Sequence, residues 1–165
     1  MYFVFVIVLS LFALILQTAF FSVIQIKGAK PDLILIILTY LSLLKGAEAG
    51  SIFGFSFGLL QDVLSGMFLG SNALTKTLLG FTLGSIGKKL YVSSLLQMIF
   101  VFVVTFVNET LLSGLTLMLK AYSTQEVITH WIRVTPTESI YNSFLCPFIV
   151  LLLRFGERNF GLPQQ

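Results

Sequence analysis

The sequence predicts an all-α membrane protein: a bundle of six transmembrane helices with a short amphipathic helix between the fifth and the sixth. Three observations predict this fold class. Hydrophobic residues make up 56% of the 165 residues. Charged residues make up only 10%, against about 25% in water-soluble domains. Apolar runs separated by short polar turns recur along the chain, so we expect one integral membrane domain over residues 1–165.

The first predicted helix covers residues 2–26, which contain no charged side chain. This stretch lacks the basic start and the small-residue cleavage site of a signal peptide. We therefore expect a retained membrane helix in the bundle. Its strongly polar interior residue, Gln17, is expected to form a hydrogen bond with a neighbouring helix.

The second predicted helix, residues 32–44, begins with Pro31 and Asp32. Proline is tolerated at the start of a helix, and aspartate complements the positive end of the helix dipole. A helix start is the favoured interpretation of Asp32, with a functional role as the alternative. The apolar run that follows has about 12 residues, fewer than the roughly 20 needed to cross a bilayer. The sequence therefore favours a short helix embedded in the bundle.

The third and fourth predicted helices, residues 46–64 and 69–87, carry glycines four residues apart. Residues with this spacing lie on one face of a helix. Each glycine costs up to about 1 kcal/mol relative to alanine in a soluble helix, so we expect the stripe to allow close approach of other helices. Part of it is expected to pack inside the bundle and the remainder to receive a partner span. The glycines of this ladder are Gly46, Gly50, Gly54, Gly58, Gly80 and Gly84.

Polar residues end both stripes near the turn between these helices. They are Asp62 on the third helix, and Asn72 and Lys76 on the fourth. In an antiparallel hairpin Asp62 and Lys76 lie on facing helices, so an ion pair is feasible. The equally weighted alternative is that both side chains extend independently to the membrane interface.

The fifth predicted helix, residues 93–119, has Asn108 and Glu109 at its centre. An ionisable side chain is costly at that depth, so Glu109 is expected to face protein or water rather than lipid.

A polar stretch then predicts an interfacial amphipathic helix over residues 124–133. Ser123 and Glu126 form a capping-box pattern at its start, and Trp131 is expected at the level of the lipid headgroups. The sixth membrane helix is predicted over residues 139–155. Pro147 removes a backbone hydrogen bond in its middle and is expected to kink it.

No catalytic or metal site is expected. The chain has one histidine, His130, and one cysteine, Cys146, so a four-ligand zinc site or a three-histidine site is excluded. No nucleophile, nucleotide-binding or dinucleotide motif occurs, and we expect neither a cofactor nor an enzymatic activity. The basic residues are scattered, and the net charge is only +3, which argues against a nucleic-acid surface.

Six crossings would place both termini on one side of the membrane. Counting basic residues in the predicted loops gives a small excess on the side of the termini, and cytoplasmic loops carry such an excess. We therefore expect both termini in the cytoplasm.

Several motifs in order give the chain a resemblance to a known family. They are Lys30-Pro31-Asp32, the glycines leading to Leu60-Gln61-Asp62-Val63-Leu64-Ser65-Gly66, then Leu69-Gly70-Ser71-Asn72-Ala73-Leu74-Thr75-Lys76, and Tyr141-Asn142 followed by Pro147 and Arg154. In these motifs, and in size and helix order, the chain resembles the MreD family of bacterial rod-shape-determining membrane proteins. The Asp-x-x-Ser-Gly turn followed by Leu-Gly is the most specific part.

The resemblance implies a noncatalytic subunit of the cell-elongation complex in the bacterial cytoplasmic membrane. Such a protein binds MreC, a single-span protein with a large outer domain. Through MreC the complex is linked to MreB filaments and to the peptidoglycan polymerase–transpeptidase pair. The family is also similar in fold to the substrate-binding S components of energy-coupling-factor transporters, which are six-helix bundles.

The alternative function is that of such a vitamin-binding S subunit. A binding subunit needs a chamber lined by convergent polar groups, to which Gln17, Asn72, Asn108 and Glu109 could contribute. Membrane lipid is an expected neighbour in either case, and homo-oligomerisation stays open.

Overall fold

A computed structural model of the chain describes residues 1–20, 25, 28–66, 68–86, 94–119 and 123–160. Within these residues the chain forms six α-helices and one π-helical turn at Leu16–Phe20, which continues the first helix. The α-helices are α1 (Tyr2–Ile15), α2 (Leu33–Lys45), α3 (Ala47–Ser65), α4 (Ser71–Ile86), α5 (Ser94–Met118) and α6 (Thr124–Phe160).

Helix α2 is the centre of the bundle. Every residue from Leu33 to Leu43 is buried, and α1, α3, α4, α5 and α6 all pack against it. Its 13 residues span about 20 Å. The short apolar run therefore forms a short helix enclosed by other helices, because its side chains are apolar on every face.

Helices α3 and α4 form a hairpin with a turn that depends on glycine. Gly66 and Gly70 have φ angles of 66° and 99°, in the left-handed region that residues with a side chain rarely adopt. Gly66 ends α3 in this conformation, and Gly70 immediately precedes α4. The two helices consequently reverse direction within five residues and lie antiparallel.

Helix α6 corrects the prediction of two separate helices over 124–133 and 139–155. The structure has one helix of 37 residues that runs through Pro136 and Pro147. Thr135, Pro136 and Glu138 have the residue types of a helix start, namely a cap, a first-turn proline and an acidic third residue. In the structure, Thr135, Glu138 and Ser139 instead lie on the buried face of a continuous helix. Packing against α5 along both parts of α6 overrides that local signal.

The remaining boundaries agree with the sequence to within about two residues wherever the structure describes them. The exception is the first helix, which was predicted to extend to residue 26: residues 21–24 and 26 lie outside the described residues, but Gln25 is described and is not helical. The predicted end of the fourth helix at residue 87 and the tail after residue 160 also lie outside the described residues.

Three helices in the described residues are long and apolar enough to cross a membrane: Tyr2–Phe20, Leu95–Met118 and Thr124–Phe160. Large apolar side chains face outward on them, such as Phe144, Phe148 and Leu151 of α6, which are 77%, 62% and 66% exposed. This outward apolar surface fits a lipid environment. A count of six crossings and the similarity to S components stay predictions.

Candidate functional site: a buried polar junction at the start of α2

The first turn of α2 lies inside the bundle, so its backbone N–H groups cannot reach water and need protein acceptors. Three side chains supply them. The N–H of Asp32 donates to Asn142 Oδ1 of α6 at 2.9 Å, and the N–H of Leu33 donates to Gln17 Oε1 at 3.1 Å. The N–H of Leu35 donates to Asp32 Oδ1 at 3.1 Å. The buried helix start is thus tied to α6 and to the π-helical turn that continues α1.

A buried ion pair joins this helix start to α4. Lys76 Nζ lies 2.6 Å from Asp32 Oδ2, and its side chain is 0% exposed. The same ammonium donates to Asn72 Oδ1 at 2.8 Å, and Gln61 Nε2 donates to Asp32 Oδ2 at 3.4 Å. A buried lysine requires such pairing, because an isolated charge in a low-dielectric interior is strongly destabilising.

Both sequence-based interpretations of Lys76, an ion pair with Asp62 and extension to the membrane interface, are wrong. The side chain neither pairs with Asp62 nor extends to the membrane interface, because the carboxylate of Asp32 meets it inside the bundle. The sequence could not show that the start of α2 lies beside α4.

Asp62 instead caps the start of α4. Its Oδ2 accepts from the N–H groups of Gly70 and Ala73 at 2.9 and 3.1 Å. Its Oδ1 accepts from the N–H and the side-chain amide of Asn72, both at 2.9 Å. A carboxylate at the positive end of a helix dipole is stabilised there, so a residue at the end of α3 fixes the start of α4.

The glycine ladder allows the backbones of α3 and α4 to approach each other closely. A Cβ added at Gly50 would lie 2.5 Å from the carbonyl oxygen of Gly80, and one at Gly58 would lie 2.6 Å from that of Asn72. A Cβ at Gly54 would overlap the carbonyl of Lys76. The backbones of the two helices therefore touch, and a side chain at any of these positions would force them apart.

The two end members of the ladder behave differently. A Cβ at Gly84 would overlap the backbone at Ala47, so Gly84 also packs inside the hairpin. Gly46 has φ +96° and no neighbour within 4 Å of an added Cβ, and it serves as the joint between α2 and α3. None of the helical glycines of the ladder is left for a partner span, in contrast to the expectation that part of it would be free.

On the other side of the junction, α5 and α6 are joined through side chains. Asn142 Nδ2 donates to Thr105 Oγ1 at 3.1 Å, and Ser143 Oγ donates to the carbonyl of Met98 at 2.8 Å. Trp131 Nε1 donates to Thr110 Oγ1 at 3.2 Å. These contacts show that α5 and α6 lie antiparallel.

Trp131 also packs edge-on against Phe106, with the ring centroids 5.5 Å apart. It thus lies in the groove between α5 and α6. Its position relative to lipid headgroups stays a prediction, as does a kink at Pro147.

Three polar residues extend this cluster beyond Thr105. Asn108 is fully buried, and its Nδ2 donates to Glu109 Oε1 at 3.1 Å. Glu109 is half-buried, and its avoidance of lipid stays a prediction. Glu138 of α6 is buried, and it lies one turn before Asn142 on the same face of that helix.

Four members of the site were not predicted from the sequence. Asn142 and Gln61 appeared only within the motifs of the family resemblance, Thr105 was not assigned a role, and Glu138 was interpreted only as part of a helix start. A polar residue every three or four positions on α6, at Thr135, Glu138, Ser139 and Asn142, was the available signal, because such spacing places these side chains on one face.

The polar groups of the junction mainly hold the helices together. Their donors and acceptors are largely satisfied by one another, and no group of three or more His, Cys, Asp or Glu side chains in the described parts of the chain is arranged to hold a metal ion.

The fold and the junction together define an α-helical integral membrane protein whose helices are held around a short central helix by buried polar contacts. The chain belongs to the MreD family: the family model described as rod shape-determining protein MreD matches residues 1–156. Its role is therefore in rod-shape determination. No curated protein and no solved structure matches the chain.

Proposed function

We propose that the chain is a noncatalytic scaffold subunit of the bacterial cell-elongation complex. It binds MreC and helps couple MreB filaments to peptidoglycan synthesis by the polymerase–transpeptidase pair. The observation that carries the proposal is the family match over residues 1–156, because that family is described by its role in rod shape.

The interior of the bundle is filled by contacts between its own helices, which supports a scaffold function. Gln17 and Asn72 bond within the junction instead of lining a chamber. A cavity between α2, α5 and α6 has a volume of about 20 Å³, which is room for a single water molecule. Nothing in the described bundle favours the alternative of a vitamin-binding transporter subunit, which needs a far larger chamber.

The outer faces are the surfaces that remain for a partner span. Because the helical glycines of the ladder are enclosed between α3 and α4, the single span of MreC would meet exposed apolar side chains. Candidate faces lie on α3, around Phe55, and on α6, around Phe148, which are 55% and 62% exposed.

The length of α6 suggests a second contact. Its 37 residues span about 55 Å, which is roughly 25 Å more than the hydrocarbon core of a bilayer. Its N-terminal part carries exposed polar side chains, namely Gln125, Thr129, His130 and Arg133. With both termini in the cytoplasm, this part would extend to the outer side of the cytoplasmic membrane, where the large domain of MreC resides.

Photo-crosslinking in living cells tests the proposal. The chain replaces the native MreD of a rod-shaped bacterium, and a photoreactive amino acid is placed at one exposed position on each outer helix. The positions are Phe12, Phe55, Phe81, Ile99 and Phe148. We expect crosslinks to MreC from one or two of these faces and rod-shaped cells throughout.

Cells that lack MreC provide the control, since any product of the same size there comes from another protein. Rod-shaped cells in which none of the five positions captures MreC would contradict the MreC contact. Round cells that contain the folded chain in the membrane would contradict the scaffold function itself.

A further inference from the structure

The cavity between α2, α5 and α6 is lined by one polar side chain from each of these helices. They are Thr39 of α2, Gln97 of α5 and Cys146 of α6. All three are buried, with exposed fractions of 3%, 8% and 1%. The rest of the lining is mainly apolar and is formed by Ile36, Tyr40, Leu43, Phe100, Val101 and Val150. Polar groups of three helices therefore meet in an otherwise apolar part of the interior.

Gln97 is the residue of this lining whose hydrogen bonding is incomplete. Its Nε2 is buried and has no acceptor among the described residues. A buried amide loses its hydrogen bonds to water on folding, which is costly unless another acceptor replaces them. The cavity that Gln97 lines is the place where such an acceptor can lie.

The other two polar groups of the lining can accept hydrogen bonds. The hydroxyl of Thr39 donates its proton to the carbonyl of Leu35 at 2.7 Å, and its oxygen can still accept. Cys146 is a free cysteine, and sulfur is a weak acceptor. A ligand that satisfies all three groups must accept from Gln97 and donate to Thr39 and Cys146.

The size and the charge of the cavity select water as this ligand. Its volume of about 20 Å³ exceeds the roughly 10–15 Å³ that one water molecule requires and leaves no room for a larger molecule. No carboxylate belongs to its described lining, so a cation would lack a counter-charge there. Buried water molecules typically make about three hydrogen bonds, which matches the three polar groups.

We propose that one water molecule is bound in this cavity and joins α2, α5 and α6. It accepts a hydrogen bond from Gln97 Nε2 and donates to Thr39 Oγ1 and Cys146 Sγ. Thr39 lies about two helical turns beyond Asp32, so this link is separate from the polar junction at the start of α2. The inference goes beyond the scaffold function and does not depend on it.

Cys146 provides the measurement, because it is the only cysteine of the chain and is 1% exposed. A short X-ray pulse on the full-length protein in detergent forms hydroxyl radicals from bulk and from bound water. These radicals oxidise only the side chains beside which they form or to which they can diffuse, and mass spectrometry locates the added oxygen. We expect Cys146 to be oxidised although it is buried, because the bound water lies next to its thiol.

Met118 serves as the internal reference, because it is 83% exposed and is oxidised by radicals from bulk water. A water-soluble radical scavenger should lower the oxidation of Met118 severalfold. The oxidation of Cys146 should stay nearly unchanged, since the scavenger cannot enter a cavity of this size.

Two variants remove the water by different routes. Gln97→Met replaces the amide by an apolar side chain of similar length, and Val101→Ile adds one methylene to the lining. Each should lower the oxidation of Cys146 severalfold. Val104→Ile is the matched control: Val104 lies one turn after Val101 on α5 and is also 4% exposed, but it does not line the cavity. This variant should keep the wild-type rate.

The proposal would be overturned if Cys146 of the wild type stays unoxidised, or if the scavenger protects it in parallel with Met118. Wild-type oxidation of Cys146 in folded Gln97→Met or folded Val101→Ile would also overturn it. If Gln97→Met does not fold, Val101→Ile and its control decide. If neither variant folds, the scavenger experiment on the wild type decides alone.

Discussion

The hairpins α3–α4 and α5–α6 are built from the same chain but are held together in different ways. In α3–α4, glycine lets one backbone touch the other: a Cβ at Gly50 would lie 2.5 Å from the carbonyl oxygen of Gly80. The start of its second helix is capped by a buried carboxylate, Asp62, that belongs to the first helix. The turn itself depends on two glycines with positive φ angles.

In α5–α6 the contacts are made by side chains. Trp131 bonds to Thr110 and Asn142 to Thr105, both across 3.1–3.2 Å. The start of α6 is capped by its own exposed Glu126, which accepts from Ser123. Gly114 of α5 has nothing within 4 Å of an added Cβ, so glycine is not used there for close packing.

This difference separates a fixed part of the molecule from an adaptable one. Where two helices touch through their backbones, the distance between them is fixed and no glycine in the contact can be replaced. Where they touch through side chains, the side chains can change rotamer and stay in contact. The α5–α6 hairpin also contains the buried oxygens without partners, at Asn108 and Thr135. We therefore expect α3–α4 to be the rigid element of the scaffold and α5–α6 to be the element that adapts to a partner.

The largest effect is expected from a side chain in the glycine ladder. Gly54→Leu would place a branched side chain against the backbone carbonyl of Lys76, and neither backbone can move without separating α3 from α4. We expect a loss of more than about 4 kcal/mol in the free energy of unfolding, measured by denaturant unfolding in detergent micelles.

Gly114→Leu on α5 is the matched control. It adds the same side chain at a helical glycine with open space around it, so it should be neutral or slightly stabilising. Equal losses at both positions would remove the distinction between the two hairpins.

The second prediction concerns the ion pair that joins α4 to the start of α2. Lys76→Met leaves the carboxylate of Asp32 buried without its counter-charge, and Asp32→Asn leaves the ammonium in the same state. Each should cost about 3–5 kcal/mol. The double variant should recover a large part of that loss, since it removes both charges.

A double-mutant cycle in unfolding experiments measures this coupling. The cycle of Lys76→Met with Asp62→Asn is the control, because those two side chains do not touch and share only Asn72. A larger coupling in the second cycle would mean that Lys76 pairs with Asp62 after all.

The third prediction compares the two helix caps. Asp62→Ala deprives two buried and one partly buried backbone N–H group and one side-chain amide of their acceptor, and should cost about 3 kcal/mol. Glu126→Ala removes a cap that water can replace, and its unfolding midpoint should be close to that of the wild type. A comparable loss in the two variants would show that the start of α6 is as strictly specified as that of α4.

The glycine spacing is an example of a feature that could be predicted from the sequence. Residues four apart must share a helix face, so Gly50, Gly54 and Gly58 predicted that another helix approaches α3 closely, but not that α4 covers the whole stripe. The short apolar run likewise predicted the enclosed α2. In both cases the signal lies within one helix and needs no knowledge of its neighbours.

Contacts between distant segments could not be predicted in this way. Lys76 had several acidic residues within reach in any bundle, and only the position of α2 decides that Asp32 is the partner. The continuity of α6 has the same origin: Thr135, Pro136 and Glu138 form a helix-start signal that packing against α5 overrides. Asn142 and Glu138 became members of the site through that packing.

The smallest effect is expected from Trp131→Phe, which removes one indole N–H bond to Thr110 and keeps most of the ring contact with Phe106. Because this hydrogen bond is exposed, water can replace the lost donor to the Thr110 hydroxyl, and the free energy of unfolding should fall by less than about 1 kcal/mol. Circular dichroism follows unfolding here, since the variant has no tryptophan. Thr110→Val should cost as little, and the double variant no more than either change alone if the hydrogen bond is the shared interaction. A loss as large as that of Asp62→Ala would instead mean that side-chain contacts fix α5 against α6 as firmly as glycine fixes α3 against α4.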